Sequence, residues 1–481
     1  MKRKTKSSCP SCKRIIDAEI VEEKGRIYLK KTCPVHGAMK NLLWGDAKSY
    51  TEIEKYAMPA TKGVHESCPM SCTTCSAHKS VPLGFVIDVT NRCDLKCPIC
   101  FANAGAAGYV YEPDMGQIEK MLRMGLESGG EKNLEISGGE PLVRKDLPEI
   151  IRLAKKLGFK VIIITTNGLK IAREPGLAMK LKRAGATAIY LQFDGLTDDV
   201  YERIRGKRLL DKKLQVIREC RNAGLPVFLV PTVVKGINDA QLGDIIQFAV
   251  KNSDVVAGIN FHTVTFTGRH DNISVEENRI TLPDIAQRIR EQTDGRVTFQ
   301  DFYPMSYPNY LMEFYSKYRN KPVVMCGGDP HCGIATILHC YGNEYIPLTQ
   351  IMDFGELERV TKSATAEYKG RWQRLTMPAK LFWEMRPGRI LKKRVPKFRY
   401  YLTLLMASRM TWATGIKSMR YKNTLMLGIK LFHDHYNLEM DSLSKCTIQY
   451  LTPEGMVPFC AYQLFHREGV MEKWAEKNGA N

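Results

Sequence analysis

The chain of 481 residues is 44% hydrophobic and 25% charged, with a formal net charge of +20; it is too long for one ordinary domain and too apolar for a disordered one. Fifteen cysteines and no apolar leader after Met1-Lys2-Arg3-Lys4 point to a reducing cytosol and to thiols spent on metals rather than disulfides. No run reaches the ~18 apolar residues of a membrane span, the longest candidate, 400–416, being broken by Arg409.

In chain order, Cys9-Pro10-Ser11-Cys12 and Cys33-Pro34-Val35-His36 form two knuckles, C-x2-C and C-x2-H, around a β-like run over 18–30. Four such ligands suit one tetrahedral ion, iron or zinc. No acid or base motif lies beside them, so the site, in a domain over 1–62, reads as structural. Residues 63–81 follow, with Cys68, Cys72 and Cys75 at C-x3-C-x2-C spacing. The same spacing returns in Cys93, Cys97 and Cys100, on a loop leaving the strand-like run Leu83 to Val89. Soft thiolates converging from one loop favour an iron–sulfur cluster or zinc. Zinc would want a fourth protein ligand nearby, and the loop offers none, whereas a 4Fe–4S cluster on three thiolates keeps one iron open to a small molecule. The Cys68 set has no preceding strand and no following Gly-Gly-Glu, which marks it as auxiliary.

Over 82–270 short β-branched runs alternate with longer amphipathic ones. Strands are predicted at 85–89, 133–136, 160–165, 188–193, 227–231 and 258–262, and helices at 115–126, 147–156, 178–184, 212–223 and 242–251. The alternation implies an α/β fold with a parallel sheet and outer helices, and six units suit a partial (β/α)6 barrel with function at the C-terminal strand ends. The second strand runs into Ser137-Gly138-Gly139-Glu140, whose glycines allow close backbone approach to a ligand and whose carboxylate could neutralise an ammonium. Asn167 follows the third strand. Gln192 and Asp194 share a face at the end of the fourth, placed to hydrogen-bond a ribose, and Thr232 after the fifth is an adenine contact in this reading. Taken singly, each also fits a turn or a helix cap.

Residues 271–481 form a C-terminal extension. Cys326 and Cys332 flank Gly327-Gly328-Asp329-Pro330-His331, and Cys446 and Cys460 sit symmetrically about Thr452-Pro453-Glu454-Gly455, a turn between apolar runs that read as a hairpin. These four make a natural ligand set for an auxiliary cluster, which leaves Cys68, Cys72 and Cys75 with an open iron or a fourth ligand; mixed sets and a Cys446–Cys460 disulfide are the alternatives. Cys220 and Cys340 read as core. Residues 361–430 hold 17 Lys and Arg against 2 Glu, about 15 of the 20 excess charges, interleaved with Trp372, Phe382, Trp383, Phe398, Tyr400, Tyr401, Trp412 and Tyr421. Basic residues with aromatic anchors suit an anionic membrane surface; a solvated helical face over a core, or RNA, is the alternative.

The Cys93 triad, the Gly-Gly-Glu segment and the strand-end motifs together resemble the radical S-adenosylmethionine (SAM) superfamily. The resemblance implies a cluster on Cys93, Cys97 and Cys100 whose open iron binds SAM, with Gly138-Gly139-Glu140 holding the methionine amino group. The knuckles with Trp44-Gly45-Asp46, the Cys68 triad, Leu191-Gln192-Phe193-Asp194-Gly195, Val230-Pro231-Thr232, Pro330-His331-Cys332-Gly333 and Pro458-Phe459-Cys460-Ala461-Tyr462 are similar to the archaeal tetraether lipid synthase family, least clearly over 340–440. That likeness implies hydrogen abstraction from terminal methyl carbons of phytanyl chains and carbon–carbon coupling of two chains. It further implies one SAM-binding and two auxiliary 4Fe–4S clusters, a mononuclear iron or zinc, a phospholipid substrate, a low-potential electron donor, and a cytoplasmic protein peripheral at the inner membrane surface. The alternative enzyme reading is radical SAM C-methylation of a pterin, with SAM giving its methyl group as well as the radical. A non-enzymatic iron–sulfur carrier or RNA-associated protein leaves the Gly-Gly-Glu and Gln192-Phe193-Asp194 segments unexplained.

Overall fold

Period-two alternation in the first 44 residues builds a four-stranded antiparallel sheet, β1 (Lys2–Ser8), β2 (Ile15–Glu23), β3 (Arg26–Cys33) and β4 (Gly37–Trp44), in a computed structural model that describes residues 2–57, 68–70, 72, 78, 80–320, 323–368 and 423–479. Ile20, Ile27 and Leu29 are fully buried on its packed face. Asp46 then caps α1 (Ala47–Glu54), accepting from the Ser49 amide at 2.8 Å. Buried Lys31 ties the sheet to the C-terminal part of the chain, donating to the carbonyls of Ser8 at 2.8 Å and His435 at 2.5 Å. The Tyr50 ring stacks on His331 at 3.9 Å between centroids.

The β/α alternation produces six parallel strands in order: β5 (Gly84–Asp88), β6 (Asn133–Ser137), β7 (Val161–Thr166), β8 (Ala188–Gln192), β9 (Val227–Val230) and β10 (Val256–Thr263). The outer helices are α2 (Met115–Glu127), α3 (Leu147–Leu157), α4 (Leu177–Ala184), α5 (Leu210–Ala223) and α6 (Leu242–Lys251). Each presents an apolar stripe to the sheet, as in Leu147, Ile150, Ile151 and Ala154 of α3. Inside the curved sheet Val161, Ile163, Ala188, Phe228 and Ala257 pack as an apolar floor. The result is the expected α/β partial barrel with an N-terminal metal-knuckle domain.

The sheet does not stop at residue 263. The C-terminal strand β12 (Thr424–Lys430) adds parallel to β10, and β11 (Gly333–Tyr341) adds antiparallel to β12. At the other edge β13 (Ile448–Thr452) pairs parallel with β5 and turns into β14 (Gly455–Pro458), the expected hairpin. The C-terminal extension is thus woven into the barrel at both edges, which its sequence distance from the alternating region concealed. The basic segment with Trp372, Phe382, Trp383, Phe398, Tyr400, Tyr401, Trp412 and Tyr421 lies outside the described residues, as does Cys75. No helix among the described residues is long and apolar enough to cross a membrane.

Candidate active site and metal centres

The loop after β5 is pinned before it delivers its thiols. The Asn91 side chain donates to the Tyr109 carbonyl at 2.9 Å and accepts from the Tyr111 amide at 3.0 Å. The loop carries Cys93, Cys97 and Cys100 into one cavity of about 240 Å³ at the C-terminal strand ends, shared with Gly138, Gly139, Glu140, Asn167, Gln192 and Thr232. Burial pushes the Cys93 thiol up to about 12 and raises Cys97, whose neighbour Arg205 acts in the opposite sense. Such thiols ionise when a cation takes the proton's place, and a metal cluster supplies it.

Gly138 and Gly139 serve a contact different from the one expected. An added Cβ would lie 2.2 Å from the Thr90 carbonyl oxygen at Gly138 and 2.3 Å from that of Arg92 at Gly139, and Gly138 has φ +141°. The Gly139 and Glu140 amides donate to those same carbonyls at 2.7 and 2.8 Å. The glycines therefore let the β6 loop close onto the cysteine loop itself. Glu140 is 2% exposed. Its carboxylate accepts from the Thr166 hydroxyl at 2.7 Å, the Leu142 amide at 3.0 Å and the Asn167 amide at 2.7 Å. No Lys or Arg forms an ion pair with it among the described residues, and burial pushes its pKa up to about 7. A buried carboxylate in that state fits an incoming ammonium.

The structure brings Asn167, Gln192 and Thr232 to the cavity wall but sets Asp194 behind it. The Asn167 side chain donates to Asp94 at 2.7 Å. Gln192 donates to Asp194 and accepts from Lys213 at 3.0 Å. Asp194 is fully buried and forks onto Arg205, two bonds of 2.8 Å, while also accepting from the Thr232 amide at 3.1 Å. This placement does not fit its expected ribose contact: Arg205, eleven residues on, donates to both oxygens, and Asp194 does not line the cavity. Arg205 and Lys213, which sequence reasoning missed, put two buried cations against the residues of this wall. Lys213 is fully buried, reaches the Asn167 carbonyl at 2.7 Å, and is lowered to about 8 by burial. Its signal was a charge on the apolar stripe Val216, Ile217, Cys220 of α5.

A polar set that the sequence reading did not single out also lines the cavity: Glu135 and Tyr190 within their strands, and Thr165, His262 and Lys430 at or next to the C-terminal strand ends. The signal was the polar phase Asn133, Glu135, Ser137 along β6. Burial lowers His262 to about 3, with Lys430 adding to the effect, so its ring is neutral. Asn133, His262, Thr263 and Gln463 line the cavity, and each also carries one inaccessible polar atom without a hydrogen-bond partner: Asn133 Oδ1, His262 Nε2, Thr263 Oγ1 and Gln463 Oε1.

In the N-terminal sheet the ligand atoms of Cys9, Cys12, Cys33 and His36 all lie within 4.8 Å of one another. His36 Nδ1 is 3.5 Å from the sulfurs of Cys9 and Cys33, and backbone hydrogen bonding and His36 lower the Cys33 thiol to about 6. The set fits a single tetrahedral metal ion. At the other end, burial raises the thiols of Cys332, Cys446 and Cys460, and the three lie close enough for the charge of Cys446 to add to the effect at Cys332 and Cys460. His433, which sequence reasoning missed, adds Nε2 at 3.9 Å from the Cys332 sulfur, and its amide donates to the Cys460 sulfur at 3.4 Å. All three cysteines are free, so no disulfide joins Cys446 and Cys460. Cys326 borders the same loop: a Cβ on Gly328 would lie 3.8 Å from its sulfur and 3.5 Å from Thr447. Cys68 and Cys72 pack against the apolar cluster that contains Cys460. Cys220 and Cys340 lie in the main core.

Comparison with known proteins places this geometry. Residues 87–249 match the radical SAM superfamily, and residues 1–45 match the HMPTM N-terminal zinc ribbon domain. The chain is 39% identical to the 7,8-dihydro-6-hydroxymethylpterin dimethyltransferase of Methanocaldococcus jannaschii, over 99% of this chain and 96% of that one. It is 33% identical to the Fe-coproporphyrin III synthase of Methanosarcina barkeri over 43% of this chain and 51% of that one. Among solved structures, Streptococcus suis SuiB bound to precursor peptide SuiA aligns with a TM-score of 0.38 at 22% identity, covering 45% of this chain and 46% of that chain. The expected phospholipid and membrane partners are thereby corrected: the relative that matches from end to end is named for a pterin. The motifs that suggested a lipid synthase belong to the SAM-binding barrel and its metal-binding extensions, and they carry no information on substrate.

Proposed function

The chain belongs to the radical SAM superfamily and, within it, to the family of the Methanocaldococcus jannaschii pterin dimethyltransferase, and from that premise we propose that it C-methylates a reduced pterin. Its cofactors are SAM and a 4Fe–4S cluster, beside the metal site of the N-terminal ribbon. Cys93, Cys97 and Cys100 would hold the cluster, Glu140 would take the SAM ammonium, and Asn167, Gln192 and Thr232 border the volume left for the adenosine. Reduced and bound to SAM, such a cluster supplies a 5′-deoxyadenosyl radical that takes hydrogen from an unactivated carbon. The chain's own part is to position and to shield. Lys213 fixes Gln192 and Asn167 from behind, and Arg205 fixes Asp194 and donates to the Thr232 hydroxyl at 3.1 Å. Phe432 and Phe459 stack at 4.7 Å beside Phe101 and cover the cavity wall next to the cysteine loop, limiting water at the reacting carbon.

The observation that carries this reading is likeness along nearly the whole chain, ribbon and C-terminal extension included. The mixed lining of the cavity supports it, because apolar walls such as Val161, Ile163 and Phe432 with a few placed polar groups such as Glu135, Thr165 and Tyr190 suit a heteroaromatic ring. A 7,8-dihydro-6-hydroxymethylpterin has sp3 C–H bonds at C7 and at its hydroxymethyl carbon, the bonds a carbon radical would attack. With pterin deuterated at both carbons, the anaerobically reconstituted enzyme is expected to form 5′-deoxyadenosine that carries deuterium. Equal 5′-deoxyadenosine formation without pterin, and none of it deuterated, would overturn the proposal.

A further inference from the structure

Three carboxylates line the cavity, and their partners differ. Asp88 is tied to Arg467 at 3.1 Å. Glu140 is held by Thr166 and two backbone amides. Among the described residues Glu135 is hydrogen-bonded by Thr165 alone, whose hydroxyl donates to Oε1 at 2.5 Å. Glu135 comes from the interior phase of β6, in register with Val86 and Ile163 on the flanking strands. It stands two residues before Ser137, so about 7 Å deeper in the barrel than the end of its strand. The apolar floor of Val161, Ala188 and Phe228 lies at the base of the same interior. Burial raises the Glu135 pKa, while Thr165 and the charge of Lys430 favour the ionised form. A pair of acceptor oxygens above the apolar floor, in the cavity that Cys93, Cys97 and Cys100 also line and with Thr165, Tyr190, His262 and Lys430 among its polar lining, matches a ligand with two donors side by side.

We propose that Glu135 reads the 2-amino and N3–H edge of the bound pterin, and thereby turns the opposite edge, with C7 and the 6-hydroxymethyl group, toward the cluster end of the cavity. The inference rests on the pterin reading and adds to it the residue that sets ring identity and ring direction. The 2-amino-4-oxopyrimidine edge presents two parallel N–H donors, which a carboxylate accepts bidentately. A 2-oxo ring puts a carbonyl oxygen against one of those carboxylate oxygens, an acceptor facing an acceptor. Glutamine at the same place offers one acceptor and one donor, the complement of the 2-oxo ring and the mismatch of the 2-amino one.

The test is a binding titration of the anaerobically reconstituted full chain with SAM present. Its probes are 7,8-dihydro-6-hydroxymethylpterin, its 2-oxo counterpart and its N3-methyl derivative. Wild type is expected to favour the pterin over both analogues by about 10- to 100-fold, the range for leaving one buried polar partner unsatisfied. Glu135→Gln is expected to reverse the preference toward the 2-oxo ring, and Glu135→Asp to keep its direction with weaker binding. Iron content and SAM affinity serve as controls for folding. If Glu135→Gln does not fold, the wild-type discrimination against the N3-methyl and 2-oxo rings still decides. Wild type that binds the pterin but accepts both analogues equally, or Glu135→Gln that keeps the wild-type order, overturns the role of Glu135 and leaves the pterin reading standing. Wild type that binds none of the three rings overturns both.

Discussion

The Glu140 carboxyl, pushed from the ordinary 4.5 up to about 7 by burial, carries roughly 3 kcal/mol of unfavourable ionisation. Between those two values the unfolded chain has lost its proton and the folded chain keeps it. This group's contribution to the ligand-free fold is therefore full below about 4.5, falls as pH rises, and is lost above about 7. An arriving ammonium reverses the penalty, so SAM affinity is predicted to climb as pH rises toward 7 and then level. Glu140→Gln is predicted to bind SAM about 10- to 100-fold more weakly, through loss of a charge-assisted bond in a buried site, and with a flat pH profile. Isothermal titration of the reconstituted protein between pH 5.5 and pH 8.5 (roughly the span around the shifted group) reads both, and a flat wild-type profile contradicts the assignment. Residues fixed by local spacing were legible: the three cysteines of one loop, the four ribbon ligands, and Glu140 after its strand. Asp194 was not, because its partner Arg205 comes from the following helix and no periodicity reports a pairing of side chains between elements. Glu135 was half legible, since a polar phase on a strand shows that one face is polar but not that it faces a cavity.

At the scale of elements, two loops that never meet in sequence depend on each other. The β6 loop hydrogen-bonds to the cysteine loop through amides that can reach only because positions 138 and 139 lack a Cβ. Gly138→Ala is therefore predicted to push the loops apart, with a left-handed backbone conformation costing about 1–3 kcal/mol in addition to the clash. Iron bound by the Cys93 triad should fall several-fold while the ribbon keeps its metal, as read by metal analysis and electron paramagnetic resonance; unchanged cluster signal and SAM affinity would refute the coupling. The six parallel strands and their helices emerged within one or two residues, because β-branched runs and amphipathic stripes are local properties. β11 and β12 escaped, and β13 was expected only as half of a hairpin and not as a partner of β5, because strand partners are set by tertiary packing. Thr424–Lys430 lies about 160 residues from the strand it pairs with.

For the molecule as a whole, the C-terminal strands cover edges that the barrel would otherwise expose. β12 pairs with β10 and β13 with β5, and the buried pair Arg279–Asp434 at 2.8 Å fastens the loop after β12 to the barrel side. A chain ending at residue 422 is predicted to aggregate, its β5 and β10 edges open to other strands; a soluble monomer by size-exclusion chromatography that still binds SAM would show the barrel to be self-sufficient. The same weaving explains why function was the hardest thing to read. The motifs marked a SAM-dependent radical enzyme, while the cavity is lined by side chains drawn from β6, β7, β8, β10 and β12, which no single stretch brings together. The central claim, that the radical is spent on a reduced pterin, is tested most directly by mass spectrometry of the pterin itself. The anaerobically reconstituted protein would be given 7,8-dihydro-6-hydroxymethylpterin, methyl-deuterated SAM and a low-potential reductant. The expected product is a pterin heavier by one and then two methyl-for-hydrogen replacements, with deuterium in them if SAM is the methyl source. A pterin of unchanged mass while 5′-deoxyadenosine accumulates would contradict it.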